Sequence, residues 1–245
     1  GLILFVGATG AGKSTTQAAM IGYRNRHAND HILTIEDPVE FVHQHDRCLI
    51  TQREVGSDTL SFDEGLKSAL RQAPDVILIG EIRSEETMEF ALSFAETGHL
   101  CMATLHANNA NQAIERILHL VPPSKHRLLM YDLAFNLKAI VAQQLVPTLD
   151  GQGRRAAFEV MLNSPLISDI LRKGEVHRLK ETISRSRELG MSTFDQSLFE
   201  LYQQGVIGFD EALAFADSSN EMRVLIKLAA GGNFSSGMMD NVTVS

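Results

Sequence analysis

A glycine-rich segment at residues 7–14 constrains this 245-residue chain more than any other feature of its sequence. The segment has the sequence GATGAGKS and fits the pattern G-x-x-x-x-G-K-[ST], in which glycines let successive backbone N–H groups point at phosphate oxygens. The apolar run Leu2–Val6 precedes it and a helical pattern over residues 14–28 follows it, as a strand–loop–helix phosphate site requires. The G-x-x-G-x-G spacing does not fit a dinucleotide fingerprint. The segment therefore predicts a site for a nucleoside triphosphate.

The polar side chains of this loop have expected parts in holding the triphosphate. We expect Lys13 to reach the β- and γ-phosphates and the Ser14 hydroxyl to bind the Mg²⁺ that accompanies ATP. The predicted cofactors are accordingly ATP and Mg²⁺. The predicted nucleotide-binding residues are Gly7, Ala8, Thr9, Gly10, Ala11, Gly12, Lys13, Ser14 and Thr15.

Short β-rich runs alternate with helical patterns up to about residue 150, which is typical of an α/β protein with a mostly parallel sheet. Ser124 is expected to begin a further helix that extends to about Val141, and a turn at 150–153 predicts a hairpin. The predicted strands are 2–6, 31–35, 48–52, 76–79, 100–105, 144–148 and 156–161. The predicted helices are 14–28, 62–72, 85–97, 111–119, 124–141, 166–172, 176–187, 194–203 and 210–216.

These patterns predict an α/β core over residues 1–162, a helical subdomain over 163–228 and a disordered tail over 229–245. The tail is rich in Gly, Ser and Asn and has no hydrophobic period. Residue 1 is Gly rather than Met and stands at the head of an apolar strand, so we expect an N-terminal part to precede it.

Composition excludes several classes of protein. The 22 Lys and Arg residues against 30 Asp and Glu give a net charge of −8, which argues against a protein that coats nucleic acid. Neither of the two cysteines lies in a C-x-x-C pair, which excludes a disulfide framework and a four-cysteine zinc site. The longest apolar runs are far shorter than the ~20 residues needed to cross a bilayer, and no signal peptide is visible. The absence of paired cysteines suits a reducing cytoplasm.

Acidic residues follow two of the predicted strands, at the edge where α/β sheets bind ligands. Glu81 ends a buried run, where a phosphate-loop site needs a carboxylate that holds metal-bound water or polarises the attacking water. Gly80 stands where such sites usually have Asp. Glu81 also fits an acid at the start of the following helix. Glu36 and Glu40 are candidates for the same chemistry, and a solvated acidic loop remains the alternative.

Histidines occur at both ends of the predicted strand 100–105. Thr104 and His106, at its carboxyl end, are positioned to sense a γ-phosphate by hydrogen bonds. His99, at the opposite end, has no assigned part. His43 and His45 form an H-x-H motif without a third ligand nearby, so no metal is assigned to them.

Four motifs, taken in order, resemble those of the secretion-ATPase superfamily, and most closely the type IV pilus retraction ATPases of the PilT/PilU type. They are residues 7–14, 34–41, 80–83 and 96–106. The resemblance extends from residue 1 to about 215. It implies a RecA-like P-loop NTPase core with a mostly parallel sheet, followed by a C-terminal helical subdomain.

The resemblance also implies roles for individual residues. Glu40 falls in the "Asp box" of this family, Glu81 is its Walker B glutamate, and His99 and His106 fall in its "His box". The predicted catalytic residues are therefore Glu81, Glu40 and His106, and the predicted metal residues are Ser14 and Glu81, acting through ATP and water.

The function implied by the resemblance is Mg²⁺-dependent ATP hydrolysis that drives type IV pilus retraction and twitching motility. The implied assembly is a homo-hexamer, or a mixed ring with a paralogous retraction ATPase, on an inner-membrane pilus platform protein. The implied location is cytoplasmic, at the inner face of the bacterial inner membrane, and no nucleic acid is expected as a partner. Two alternatives remain, namely a regulatory ATP-binding subunit of a paralogous motor and a nucleic-acid-translocating ring ATPase.

Departures from the family pattern refine this interpretation. Family members carry an N-terminal PAS-like domain whose arginines reach a neighbour's nucleotide, and no such domain lies within these 245 residues. The family segment A-I-R-x-x-[IL]-R is altered here at residues 166–172, and extra residues follow Lys227. The altered segment and the extra residues favour the accessory, PilU-like branch.

Overall fold

The computed structural model describes residues 1–229 and arranges them around one sheet. The seven strands of this sheet have the order β3-β2-β4-β5-β1-β6-β7, and every pairing among β1 to β5, as well as that of β1 with β6, is parallel. The strands are β1 Leu2–Val6, β2 His31–Glu36, β3 Leu49–Glu54, β4 Val76–Ile79, β5 Leu100–Leu105, β6 Leu137–Pro147 and β7 Arg154–Leu162. The predicted α/β class with a mostly parallel sheet is confirmed.

Ten α-helices occur among the described residues, and none is long and apolar enough to cross a membrane. Short 3₁₀ turns occupy 70–72, 123–125, 176–178 and 187–189. The helices are α1 Lys13–His27, α2 Phe62–Ala69, α3 Glu85–Glu96, α4 Ala110–Leu118, α5 His126–Asn136, α6 Pro165–Lys173, α7 Leu179–Ser184, α8 Phe194–Gln203, α9 Phe209–Phe215 and α10 Ser219–Ala229.

Local sequence signals account for the starts of several helices. The Ser61 side chain accepts a hydrogen bond from the Glu64 N–H at 3.2 Å, which satisfies a free donor at the start of α2. Ser84 does the same for α3 by accepting from the Thr87 N–H at 3.2 Å. All four residues of β4 are buried, as expected for a parallel strand that is covered on both faces.

One predicted element is wrong. The helix expected from Ser124 to about Val141 ends at Asn136, and residues 137–141 instead begin β6, which pairs in parallel with β1. Leu137 and Ile140 have helical spacing relative to the apolar residues before them, but both are fully buried in the sheet. Pairing with β1 satisfies their backbone and buries both faces, and this outweighs the local helical pattern.

The chain divides into two compact units. The first comprises residues 1–145 and 156–193 and contains α1 to α7 and the sheet, except for the last two residues of β6 and the first two of β7. The described part of the second comprises 146–155 and 194–229, where the Leu149 N–H donates to the Val206 carbonyl at 2.9 Å. Residues 163–193 thus belong to the first unit, whereas the sequence groups them with the later helices. The predicted subdomain boundaries stay a prediction, and the predicted disorder of the tail lies outside the described residues, apart from Ala229, which ends α10.

Candidate nucleotide-binding site

The glycine-rich loop joins β1 to α1 at the carboxyl end of a strand inside the sheet. Gly12 has a φ of +88°, in the left-handed region that favours glycine. Gly7 is required for a different reason, because a Cβ there would lie 2.5 Å from the Gln143 carbonyl oxygen. The Lys13 amino group folds back over the loop and donates to the carbonyl oxygens of Gly7 at 2.8 Å and Ala8 at 3.0 Å.

This loop leaves several hydrogen-bond donors free. Within residues 1–229, the N–H groups of Lys13, Ser14 and Thr15 have no acceptor, and the first backbone bond of α1 runs from the Thr16 N–H to the Gly12 carbonyl at 3.1 Å. The positive end of the helix dipole lies at the same place. These donors fit a chain of phosphates. The Ser14 hydroxyl supplies an oxygen of the kind that Mg²⁺ prefers, so the residues present fit both groups.

Two of the predicted catalytic residues are in direct contact. The buried Glu81 carboxylate forms an ion pair with the Arg83 guanidinium, and its Oε2 lies 3.1 Å from Nε2 of His106. The Thr104 hydroxyl on β5, two residues before His106, donates to the Gly80 carbonyl. This hydrogen bond ties β5 to the segment that follows β4 and carries Glu81.

The charges of Glu81 and Glu40 act on the Lys13 amino group. Burial lowers the pKa of the Lys13 amino group, while the negative charges of Glu81 and Glu40 oppose this shift. Glu81 and Glu40 therefore lie within electrostatic range of the loop lysine, and His106 reaches the same place through Glu81. The catalytic roles of these three residues stay predictions.

The acidic loop after β2 is anchored by β3. The Glu36 carboxylate accepts hydrogen bonds from the Thr34 hydroxyl at 2.6 Å and the Gln52 amide at 3.3 Å. The Val39 N–H donates to the Glu54 carboxylate at 2.9 Å. Glu36 is thus engaged in holding the loop, whereas Glu40 is exposed. Of the two candidates in this loop, Glu40 is the one available for chemistry.

The other histidines considered in the sequence, His43, His45 and His99, have structural contacts. Nδ1 of His45 accepts from the Ile50 N–H at 3.0 Å, and the His43 N–H donates to the Gln52 side chain at 2.8 Å, so both tie their loop to β3. The His99 ring lies against Phe94 at the amino end of β5, with Nδ1 3.1 Å from the Phe94 carbonyl. His99 is therefore at the opposite end of its strand from His106.

The sheet leaves little room for a side chain at Gly80. A Cβ at this position would lie 3.1 Å from both the Glu36 Cα and the Ile35 carbonyl oxygen, which are backbone atoms of the neighbouring strand β2. An aspartate at this strand end would therefore require β2 to yield by a few tenths of an ångström. This explains on steric grounds why glycine occupies the position.

We expect Gly80→Ala to lower the free energy of unfolding by about 1–3 kcal/mol, because backbone atoms cannot swing aside as side chains do. The matched control is Gly22→Ala, whose Cβ would meet only the far end of the Arg26 side chain, at 3.6 Å. Urea unfolding of both variants measures the difference. A Gly80→Ala protein as stable as the control would show that β2 yields to the extra methyl group.

Sequence reasoning missed two residues of the site. Gln143 is 4% exposed and lies behind the loop, and Arg83 holds Glu81. A signal for Gln143 existed, since it is a polar residue at the end of the apolar run 139–142, but assigning most of that run to a helix concealed it. The contact of Arg83 with Glu81 has no such signal, because a charged residue after a strand end is common.

Together, the mostly parallel sheet and the loop with its free N–H groups define this chain as a P-loop nucleotide-binding protein. Residues 1–207 match the family described as "Type II/IV secretion system protein", and the chain belongs to this family.

Individual relatives are consistent with this assignment. The chain is 64% identical over 230 residues to the "Type IV pilus ATPase PilU" of Pseudomonas aeruginosa, which covers 94% of this chain and 60% of the relative. It is 44% identical to the PilT retraction ATPase of the same organism, over 86% of this chain and 61% of the relative. The chain thus spans about three fifths of the length of these relatives.

A solved structure shows the same fold. The pilus retraction motor PilT with bound ADP superimposes with a TM-score of 0.85 at 41% identity, over 91% of this chain and 63% of that protein. These comparisons confirm the resemblance to the pilus retraction ATPases, including the RecA-like type of core.

Proposed function

We propose that this chain is the catalytic core of an ATP-hydrolysing motor that drives type IV pilus retraction. One observation carries the proposal, namely that the loop between β1 and α1 has free N–H groups and a lysine folded over it, with the Glu81 carboxylate near enough to act on the lysine's charge. Such an arrangement holds a nucleoside triphosphate and supplies a carboxylate for the attacking water. The relatives named PilU and PilT support ATP as the nucleotide and the pilus as the object of the work.

The residues of the site divide the chemistry among them. Lys13 and the free N–H groups of the first turn of α1 would bind the phosphates, and Ser14 and, through water, Glu81 would hold Mg²⁺. When bound, Mg²⁺ neutralises charge on the phosphate oxygens. The Glu81 carboxylate takes a proton from water as the water oxygen attacks the γ-phosphorus and the bond to ADP breaks.

His106 and Glu40 have supporting parts in this proposal. His106 contacts Glu81 at 3.1 Å, so it orients the carboxylate and links it to the end of β5. Glu40 places a second negative charge near Lys13, which opposes the lowering of the Lys13 pKa by burial.

The proposed assembly and location rest on the family resemblance. We infer a hexameric ring, either of identical subunits or mixed with a paralogous retraction ATPase, that acts on an inner-membrane pilus platform protein. The ring would lie in the cytoplasm at the inner face of the membrane. The net charge of −8 favours a protein partner over nucleic acid.

The test is pilus retraction in cells that lack the gene for this protein. The wild-type gene should restore retraction and twitching, and Glu81→Gln should not. Glu64→Gln is the matched control, because Glu64 is an exposed carboxylate paired only with Lys67 on the surface of α2. Protein levels are compared by immunoblotting.

Other outcomes would change the proposal. Full retraction with Glu81→Gln would contradict a motor driven by this site. If retraction is restored only when Glu81 and the paralogue are both present, the result supports a mixed ring. If Glu81→Gln restores retraction, but only in cells with an active paralogue, the result identifies a regulatory subunit. ATP hydrolysis stimulated by DNA would favour the nucleic-acid-translocating alternative.

A further inference from the structure

We propose that Gln143 is a positioning residue that sets the geometry of the phosphate loop. The inference rests on the proposed function, in that the loop must hold a nucleotide for its geometry to matter. It concerns the side chain of Gln143 and its contacts with Gly12 and Thr16, at the two ends of the first turn of α1.

The register of the sheet brings Gln143 to the loop. Strand β6 pairs in parallel with β1, with Val6 opposite Ala142, so Gln143 is the next residue of β6 and lies level with Gly7. A Cβ at Gly7 would lie only 2.5 Å from the Gln143 carbonyl oxygen. The backbone of β6 thus supports the first residue of the loop directly.

The Gln143 side chain contacts Gly12 in the loop and Thr16 in the first turn of α1. Its Oε1 accepts a hydrogen bond from the Thr16 hydroxyl at 2.6 Å. Its Nε2 lies against Gly12, where a Cβ would be only 2.7 Å away. Gly12 and Thr16 are themselves joined by the first backbone hydrogen bond of α1, at 3.1 Å. One buried amide therefore braces both ends of the first helical turn.

The residues between these two ends carry the free donors. The N–H groups of Lys13, Ser14 and Thr15 have no acceptor among residues 1–229, so no backbone hydrogen bond fixes their direction. Their direction depends on the turn that Gln143 braces. A hydrogen bond between neutral groups in such a place changes an affinity by about 3- to 10-fold when it is removed.

The experiment is a double-mutant cycle in the full 245-residue chain. The variants are Gln143→Met, which keeps the volume and removes the amide, Thr16→Val, which keeps the shape and removes the hydroxyl, and the two combined. Thr16→Ser keeps the hydroxyl and serves as the conservative variant. Gln144→Met is the control, since successive residues of a strand leave opposite faces. Calorimetry measures the Kd for ADP, and steady-state assays measure KM and kcat for ATP.

The expected result is a non-additive loss of affinity. Each single variant should weaken ADP binding about 3- to 10-fold, and the double variant should be no weaker than the worse single variant. Thr16→Ser and Gln144→Met should bind as the wild type does. The KM for ATP should rise by the same factor while kcat at saturation is retained, because the lost contact acts on binding rather than on the chemical step.

Three outcomes would overturn the inference. They are unchanged affinity in both single variants, losses that add in the double variant, and a fall in kcat with KM unchanged. Thr16→Val keeps the test decisive if Gln143→Met does not fold, because it breaks the same hydrogen bond from the helix side. If the wild-type chain binds no ADP, both the proposed function and this inference are refuted. If the wild type binds ADP and the variants bind it equally well, only this inference is refuted.

Discussion

Lys13→Ala should abolish nucleotide binding, whereas Glu81→Gln should retain ATP and stop its hydrolysis. The two residues differ because Lys13 contacts the phosphates in the ground state, while the Glu81 carboxylate acts on water and metal as the reaction proceeds. Replacing a positioned general base typically lowers kcat by about 10²- to 10⁴-fold. The Gln side chain preserves the shape of Glu81, although it cannot accept the proton or pair in the same way with Arg83.

Calorimetric ATP titration and steady-state phosphate release measure the two properties separately. The controls are Lys67→Ala and Glu64→Gln, which remove one exposed partner each from a surface ion pair on α2. Both controls should bind and hydrolyse ATP as the wild type does. Equal loss of ATP affinity in Lys13→Ala and Glu81→Gln would contradict the role assigned to Glu81.

The second large effect concerns the completion of the site by a neighbouring subunit. The family resemblance implies arginines in an N-terminal PAS-like domain that reach the nucleotide of the next subunit, and an arginine supplied in trans is worth ~10³–10⁵ in rate. We therefore expect the 245-residue chain to bind ATP but hydrolyse it very slowly. Joining it to such a domain should raise turnover steeply, and the activity per subunit should increase with protein concentration as rings assemble.

Phosphate release across a dilution series of both proteins measures this effect. A 245-residue chain as active as the longer protein would mean that the completing arginine lies within it. Arg53, Arg71 and Arg83 are then the residues to replace. Arg53 already donates to the Ser68 hydroxyl at 2.7 Å, and Arg83 pairs with Glu81, so Arg71, which is exposed, would be the first to test.

Much of the fold was predictable because its signals are local. The apolar run of β1, the glycines of residues 7–14 and the helical pattern that follows lie within about thirty residues of one another, and each specifies the backbone next to it. The same holds for the serine caps of α2 and α3. The residue types of the site were also predictable, since Lys13 belongs to a motif and Glu81 follows a buried strand.

The tertiary structure decided what local patterns leave open. The residues 137–141 have a pattern that fits a helix or a buried strand, and only the presence of β1 beside them makes the strand more stable. The partners of the site lie far apart in the chain, since His106 comes 25 residues after Glu81 and Gln143 comes 127 residues after Thr16. Such contacts form only after the strands have taken their order in the sheet, because loop closure and packing, rather than neighbouring residues, bring these side chains together.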